Sequence, residues 1–183
     1  MSSTEQPRQP RGVPAGGQWR ATARPEGAVL GEPQVEHGYV DVRRVGRTVR
    51  KVLHTNEAIA VLDSHPVTNG CDFGQGGCKV AALAVRSLLP GSEVHAIKMA
   101  GSEEPQHFVV AYQGMYIDRD GAQSERQLLD TASRDWFVDR DRLSVGPVTD
   151  DEIERAKAPG PVDEDTGEHL SEKLAGLLRR EVF

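Results

Sequence analysis

The fold of this chain depends most on one stretch, Gly76-Gly77-Cys78-Lys79-Val80-Ala81-Ala82-Leu83-Ala84-Val85. The two glycines permit a tight turn, and the run of small apolar residues after them predicts a helix that is buried on nearly all sides. We expect this helix to run from Cys78 to about Leu89. The sequence therefore places a thiol in the first turn of a central helix, where unpaired N–H groups and the helix dipole favour the thiolate.

A β-hairpin is predicted about thirty residues further along the chain. Residues 107–112 are strong β-formers, Gln113-Gly114 is a two-residue turn signal, and residues 115–118 form the return strand. Because a polar loop precedes it, His107 should lie at the rim of a sheet.

The predicted turn fixes which side chains of the hairpin lie together. If Tyr112 faces Met115, then His107 lies opposite Asp120 and diagonally across from Asp118. All three side chains then project from one face of the hairpin. We take His107 as a candidate base for the Cys78 thiol and Asp118 as the favoured orienter of its imidazole, with Asp120 as the second candidate.

The remaining pattern predicts an α+β domain over residues 37–150, with the buried helix packed on a small antiparallel sheet of three or more strands. Residues 39–42 and 94–99 are further strand candidates, and an edge strand is expected over 143–149 because Pro147 cannot sit in a central strand. A helix capped by Ser124 should run to about Trp136.

Two segments flank this domain. Residues 1–36 are rich in Pro and Gly, a composition that predicts a disordered arm. Within this arm Trp19 is a candidate docking anchor. Residues 151–183 combine an acidic linker with an amphipathic helix over 169–183. The leucine stripe of that helix favours packing on its own domain, and self-association through it is left open.

The composition of the chain limits the kinds of partner that we expect it to bind. The net charge is −6, and the first 54 residues carry nine Lys/Arg against five Asp/Glu while the remainder carries 13 against 23. This acidic balance argues against a general nucleic-acid or anionic-membrane binder. No apolar run approaches the length that spans a membrane.

The two cysteines, Cys71 and Cys78, indicate the redox compartment. The N-terminus is polar and lacks the apolar segment of a signal peptide. We therefore expect a cytoplasmic protein in which both thiols are free.

The order of these residues resembles the papain-like and transglutaminase-like superfamily of cysteine hydrolases. Its small bacterial and phage members follow the loose pattern Gly-x-Cys-x-x-x-Ala, His-x-x-Val and Gly-x-Tyr-x-Asp-x-x-Gly. The matching positions, all between residues 69 and 121, are Gly76, Cys78, Ala82, His107, Val110, Gly114, Tyr116, Asp118 and Gly121.

This resemblance implies a papain-like core and a cysteine nucleophile that acts on an acyl group of a protein or peptide, without cofactor or metal. The superfamily includes peptidases, deamidases, transglutaminases and acyltransferases, so the reaction is left open. Two positions depart from the pattern. Asp72 stands where papain-type enzymes place an oxyanion Gln, with Gln75 as the nearest replacement, and Lys79 stands where an aromatic residue is usual.

Four alternatives have different consequences. Cys78 can be an inert buried cysteine, which makes the chain a non-catalytic papain-like interaction protein with a docking arm.

A zinc site would need Cys71 and Cys78 with one of His65, His95 or His107, but the six-residue gap between the cysteines fits zinc poorly. The basic stretch 43–51 is either an anion-binding patch or, as we favour, the solvated face of an amphipathic helix. Nucleic-acid binding would rest on that stretch alone.

Overall fold

The computed structural model describes residues 40–66, 68–74, 76–102, 104–155 and 164–182. The predicted disordered arm over 1–36 and the linker near 158–161 lie outside these residues. Within them the chain is mixed helix and sheet, as the α+β prediction states.

Six α-helices, one short 3-10 helix (Arg140–Arg142) and five strands make up the described part. The helices are α1 (Val42–Leu53), α2 (Asn56–Asp63), α3 (Cys78–Leu88), α4 (Glu125–Trp136), α5 (Asp150–Arg155) and α6 (Glu164–Val182). The strands are β1 (Glu93–Met99), β2 (His107–Tyr112), β3 (Met115–Asp118), β4 (Gly121–Gln123) and β5 (Leu143–Pro147).

The strands form one antiparallel sheet in the order β4-β3-β2-β1-β5. Strand β5 lies at an edge, which confirms the prediction made from Pro147. The opposite edge is β4, a three-residue strand that the sequence analysis missed because it follows the Arg119-Asp120 turn too closely to show alternation of its own.

The β2–β3 hairpin has the predicted register. Tyr112 pairs with Met115 and Val110 with Ile117. Gln113 and Gly114 both adopt the left-handed conformation, with φ of 49° and 73°. This is the geometry of a two-residue hairpin turn whose twist matches the twist of the flanking strands.

Helices cover both faces of the sheet. Helix α3 packs between the sheet and α6, with Ala84 and Val110 fully buried in that layer. Helix α4 covers the other face through Leu128 and Leu129, which pack with Val109. The central position predicted for the Cys78 helix is therefore confirmed.

Helix α1 packs closely on the end of the hairpin. A Cβ atom at Gly46 would overlap the backbone of Ala122, so only glycine allows α1 to approach β4 this closely. The strand expected over 39–42 is wrong for residues 40–42, the part of it that the structure describes. Asp41 caps α1 by accepting a hydrogen bond from the Arg43 N–H at 2.9 Å, and Val42 is already helical.

Helix α6 belongs to the same core. Its leucines Leu170, Leu174 and Leu178 are at most 1% exposed. These three leucines of the predicted stripe are thus buried within the chain. None of the helices among the described residues is long and apolar enough to cross a membrane.

Candidate active site

Three elements bring the predicted residues to one end of the sheet. Cys78 begins α3, His107 is the first residue of β2, and Asp118 is the last residue of β3. Helix α3 packs against both strands. The sequence order thus becomes a spatial cluster because the central helix starts where the hairpin opens.

His107 and Asp118 form a buried pair. His107 Nε2 lies 3.4 Å from Asp118 Oδ2, and the two side chains are only 10% and 8% exposed. Asp118, the favoured orienter, is therefore the carboxylate that faces the imidazole. Because Nε2 faces Asp118, Nδ1 is the ring nitrogen left for the thiol.

Asp118 is itself held in place by two hydrogen bonds to its other oxygen. Asp118 Oδ1 accepts the Asp120 backbone N–H at 2.8 Å and Gln123 Nε2 at 3.1 Å. These bonds limit rotation of the carboxylate, so that Oδ2 stays aimed at His107.

Asp120 and Gln123 support Asp118 in different ways. The Asp120 carboxylate turns toward Arg119 Nε, at 3.9 Å, and only its backbone supports the site. Gln123 was not predicted, because its place depends on the pairing of β4 with β3, in which Gln123 lies opposite Tyr116. The only sequence signal for it is an amide two residues after Gly121.

The environment of Cys78 favours the thiolate. Burial on its own would raise the pKa of the Cys78 thiol, but a hydrogen bond with the His107 side chain and the imidazole charge outweigh burial and lower it. Hydrogen bonds from the backbone N–H groups of Phe108 and Lys79 act in the same direction. Among the described residues no side chain caps the N-terminus of α3. The first backbone N–H groups of the helix are therefore left for the end that carries Cys78.

The imidazole shifts the opposite way. Burial on its own would lower the pKa of His107, but hydrogen bonds to Asp118 and Cys78 and the negative charges of both groups raise it to about 10. The arrangement thus favours a thiolate–imidazolium pair over a neutral thiol and imidazole. A nucleophile and a proton donor then lie side by side.

Two cavities adjoin this pair. A small one lies between α3, α1 and the sheet and is lined by Cys78, His107 and Phe73, among others. The second, a partly open cleft, lies between the His107–Asp118 end of the sheet and α4, where Trp136 forms part of its wall. His107 lines both, so it separates the buried thiol side from the α4 cleft.

An ion pair ties the loop before Cys78 to the hairpin. Arg119 Nη1 lies 3.1 Å from Asp72 Oδ1, and a Cβ at Gly74 would overlap the Arg119 guanidinium. Asp72 therefore holds this loop against the hairpin. Gln75, the candidate replacement, lies outside the described residues.

In the ranges that the structure describes, no three His, Cys, Asp or Glu side chains are grouped so that they could hold a metal ion. Cys71 and Cys78 are both free thiols. The ligand set that the zinc alternative requires is therefore not assembled there.

Comparison of the chain with protein-family models, with curated proteins and with solved structures finds no match. What this site does must be inferred from its own geometry.

Proposed function

We propose that this protein is a cysteine-dependent hydrolase or acyltransferase, with Cys78 as nucleophile, His107 as general acid and base, and Asp118 as orienter. The observation that carries the proposal is the buried His107–Asp118 pair beside the first residue of α3, where Cys78, His107 and Asp118 line one cavity. Opposed pKa shifts at Cys78 and His107 support it, because perturbed pairs of this kind are concentrated at catalytic sites.

The chemistry follows from the charge of the pair. The Cys78 thiolate attacks the carbonyl carbon of an amide or ester and forms a carbon–sulfur bond, which pushes the carbonyl electrons onto oxygen. As the oxyanion collapses, the carbon–nitrogen or carbon–oxygen bond breaks, and the imidazolium of His107 donates its proton to the leaving group. A thioester on Cys78 and a neutral imidazole remain.

The second half of the proposed reaction regenerates the Cys78 thiolate and the His107 imidazolium. A water molecule or an amine attacks the thioester while His107 takes up its proton, and the thiolate departs as leaving group. Water gives hydrolysis or deamidation, and an amine gives acyl transfer. The Cys78 backbone N–H at the start of α3 is a candidate donor to the oxyanion in both halves.

A papain-like arrangement is the finer form of the proposal. Supporting it are the Cys-first central helix, the His at the opening of the hairpin and the Asp at its close. The α4 cleft beside His107 is the proposed entry for a side chain of a protein or peptide substrate. The alternative, a non-catalytic interaction protein, predicts the same fold with an unreactive thiol.

Thiol labelling tests the proposal. At pH 6, iodoacetamide should modify Cys78 faster than Cys71, with the sites assigned by peptide mass mapping and by Cys78→Ala and Cys71→Ala variants. His107→Ala should slow the labelling of Cys78 and leave that of Cys71 unchanged. Equally slow labelling of both cysteines would contradict the enzyme and favour the interaction protein.

A further inference from the structure

Helix α1 presents a strongly basic face to solvent. Its exposed residues sit within about a third of the helix circumference, opposite the buried valines Val45 and Val49. We call this surface the α1 basic face, and it consists of Arg43, Arg44, Arg47, Arg50 and Lys51.

This arrangement is unfavourable for the helix itself. Arg47 lies four residues after Arg43 and four before Lys51, and like charges at this spacing repel each other. The first turn contains two arginines and no acidic residue, although the helix dipole favours negative charge there. The sequence therefore breaks two local rules at one surface.

Among the described residues, the rest of the fold compensates for this repulsion only at Lys51. Lys51 Nζ pairs with Glu181 Oε2 at 2.8 Å. In the described part of the chain the four arginines of the α1 basic face have no ion pair. Local rules broken without a structural gain are typical of functional surfaces.

We propose that the α1 basic face binds an acidic polypeptide segment of a partner protein. Guanidinium groups match carboxylates in a bidentate geometry. The face extends for about 12 Å, from the 1.5 Å rise per residue of a helix, which suits a short segment with several carboxylates.

A short acidic segment fits better than a nucleic acid. Residues 55–183 carry 23 Asp/Glu against 13 Lys/Arg, so a long polyanion that extends past α1 meets a surface of its own sign. The α1 basic face also contains no aromatic residue on which bases could stack.

This inference is independent of the proposed thiol chemistry. Val49 and Leu53, on the buried side of α1, line the cavity beside Cys78, whereas the α1 basic face points away from it. A Cys78→Ala variant should therefore bind an acidic peptide as the wild type does, even if the protein proves to be no enzyme.

Fluorescence anisotropy with a labelled peptide of ten glutamates, in 50 mM and 150 mM salt, tests the proposal on the full chain. The double variant Arg44→Gln/Arg47→Gln should lose at least tenfold in affinity. The matched control Arg126→Gln/Arg142→Gln removes the same charge from other exposed sites and should lose less than twofold. The α1 variant should fold well, because it relieves repulsion within the helix.

Three results would overturn the proposal. Equal losses in the two double variants would mean that affinity follows net charge alone. Tighter binding of a ten-nucleotide single-stranded DNA than of the peptide at 150 mM salt would assign the face to nucleic acid. A concentration-dependent dimer of the wild type that the Arg44→Gln/Arg47→Gln variant abolishes would assign it to a second copy.

Discussion

At Cys78 and His107, the two pKa shifts have opposite effects on stability. The pKa of His107 is raised from 6.5 to about 10, so its contribution is complete below pH 6.5 and is lost as pH rises through 10. The pKa of Cys78 is lowered from 9.0, so its contribution is complete above pH 9.0 and is lost as pH falls through the folded value. In the part of the pH range below 9.0 where both groups titrate, the two changes oppose each other.

Between pH 9 and 10 the His107 contribution falls by about 1 kcal/mol, because the folded imidazole is about nine-tenths protonated at pH 9 and about half protonated at pH 10. We expect the wild type to lose up to about 1 kcal/mol over this interval relative to Cys78→Ser/His107→Gln. Urea unfolding of both proteins at pH 7, 9 and 10 measures this difference. A constant difference from pH 9 to 10 would mean that the imidazolium is not held in the folded protein.

Gln123 is the second residue-scale prediction. Gln123→Leu removes one of the two hydrogen bonds to Asp118 Oδ1 and should slow the alkylation of Cys78 at pH 6 about tenfold, since a hydrogen bond to a charged group contributes about 1.5–3 kcal/mol.

The Gln123→Glu variant tests whether Gln123 positions the Asp118 carboxylate or only fills space beside it. The shape is nearly kept, but an ionised carboxylate at position 123 repels Asp118, while a protonated carboxyl there can still donate a hydrogen bond. Alkylation in this variant should therefore fall as pH rises through the pKa of the new carboxyl group, with no such fall in the wild type. Unchanged rates in both variants would leave Gln123 without a role in the site.

At the scale of elements, helix α4 ends in a strained residue. Phe137 adopts the left-handed conformation, with φ of 55°, and is 95% exposed. Phe137→Gly should stabilise the protein by about 1 kcal/mol, because a left-handed conformation costs about 1–2 kcal/mol for a residue with a Cβ. Phe137→Ala keeps the Cβ and should give no such gain. Urea midpoints of the three proteins decide this.

The contact between α1 and β4 gives a matched pair of glycine substitutions. Gly46→Ala should destabilise the protein by about 1–3 kcal/mol, since the added methyl group overlaps the Ala122 backbone. Gly176→Ala, in α6, meets nothing within 4 Å and should instead stabilise by up to about 1 kcal/mol. Thermal unfolding compares them, and equal effects would contradict the tight α1–β4 contact.

At the scale of the whole molecule, α6 should unfold together with the sheet. Leu174 is fully buried in the core that contains α3. Leu174→Ala should cost about 2–5 kcal/mol. Far-UV circular dichroism and Trp136 fluorescence, in a Trp19→Phe background, should show one coincident transition at a lower urea concentration. Separate transitions would make α6 an independent extension.

Much of the site was predictable because it depends on local rules. The apolar run after Gly76-Gly77 predicts α3, and the Gln113-Gly114 turn sets the register that puts His107 and Asp118 on one face. Hydrophobic periodicity and the residue preferences of turns act over a few neighbouring residues, so they can be recognised without the rest of the chain.

What only the tertiary structure decided depends on contacts between segments distant in sequence. Asp118 rather than Asp120 faces His107 because the turn after β3 directs the Asp120 carboxylate to Arg119, and Gln123 joins the site because β4 pairs with β3. Helix α6 became part of the core because α3 has apolar residues on more sides than the sheet can cover. The sequence alone predicts a thiol at the start of a buried helix. The charge of that thiol depends on the groups that tertiary packing brings next to it.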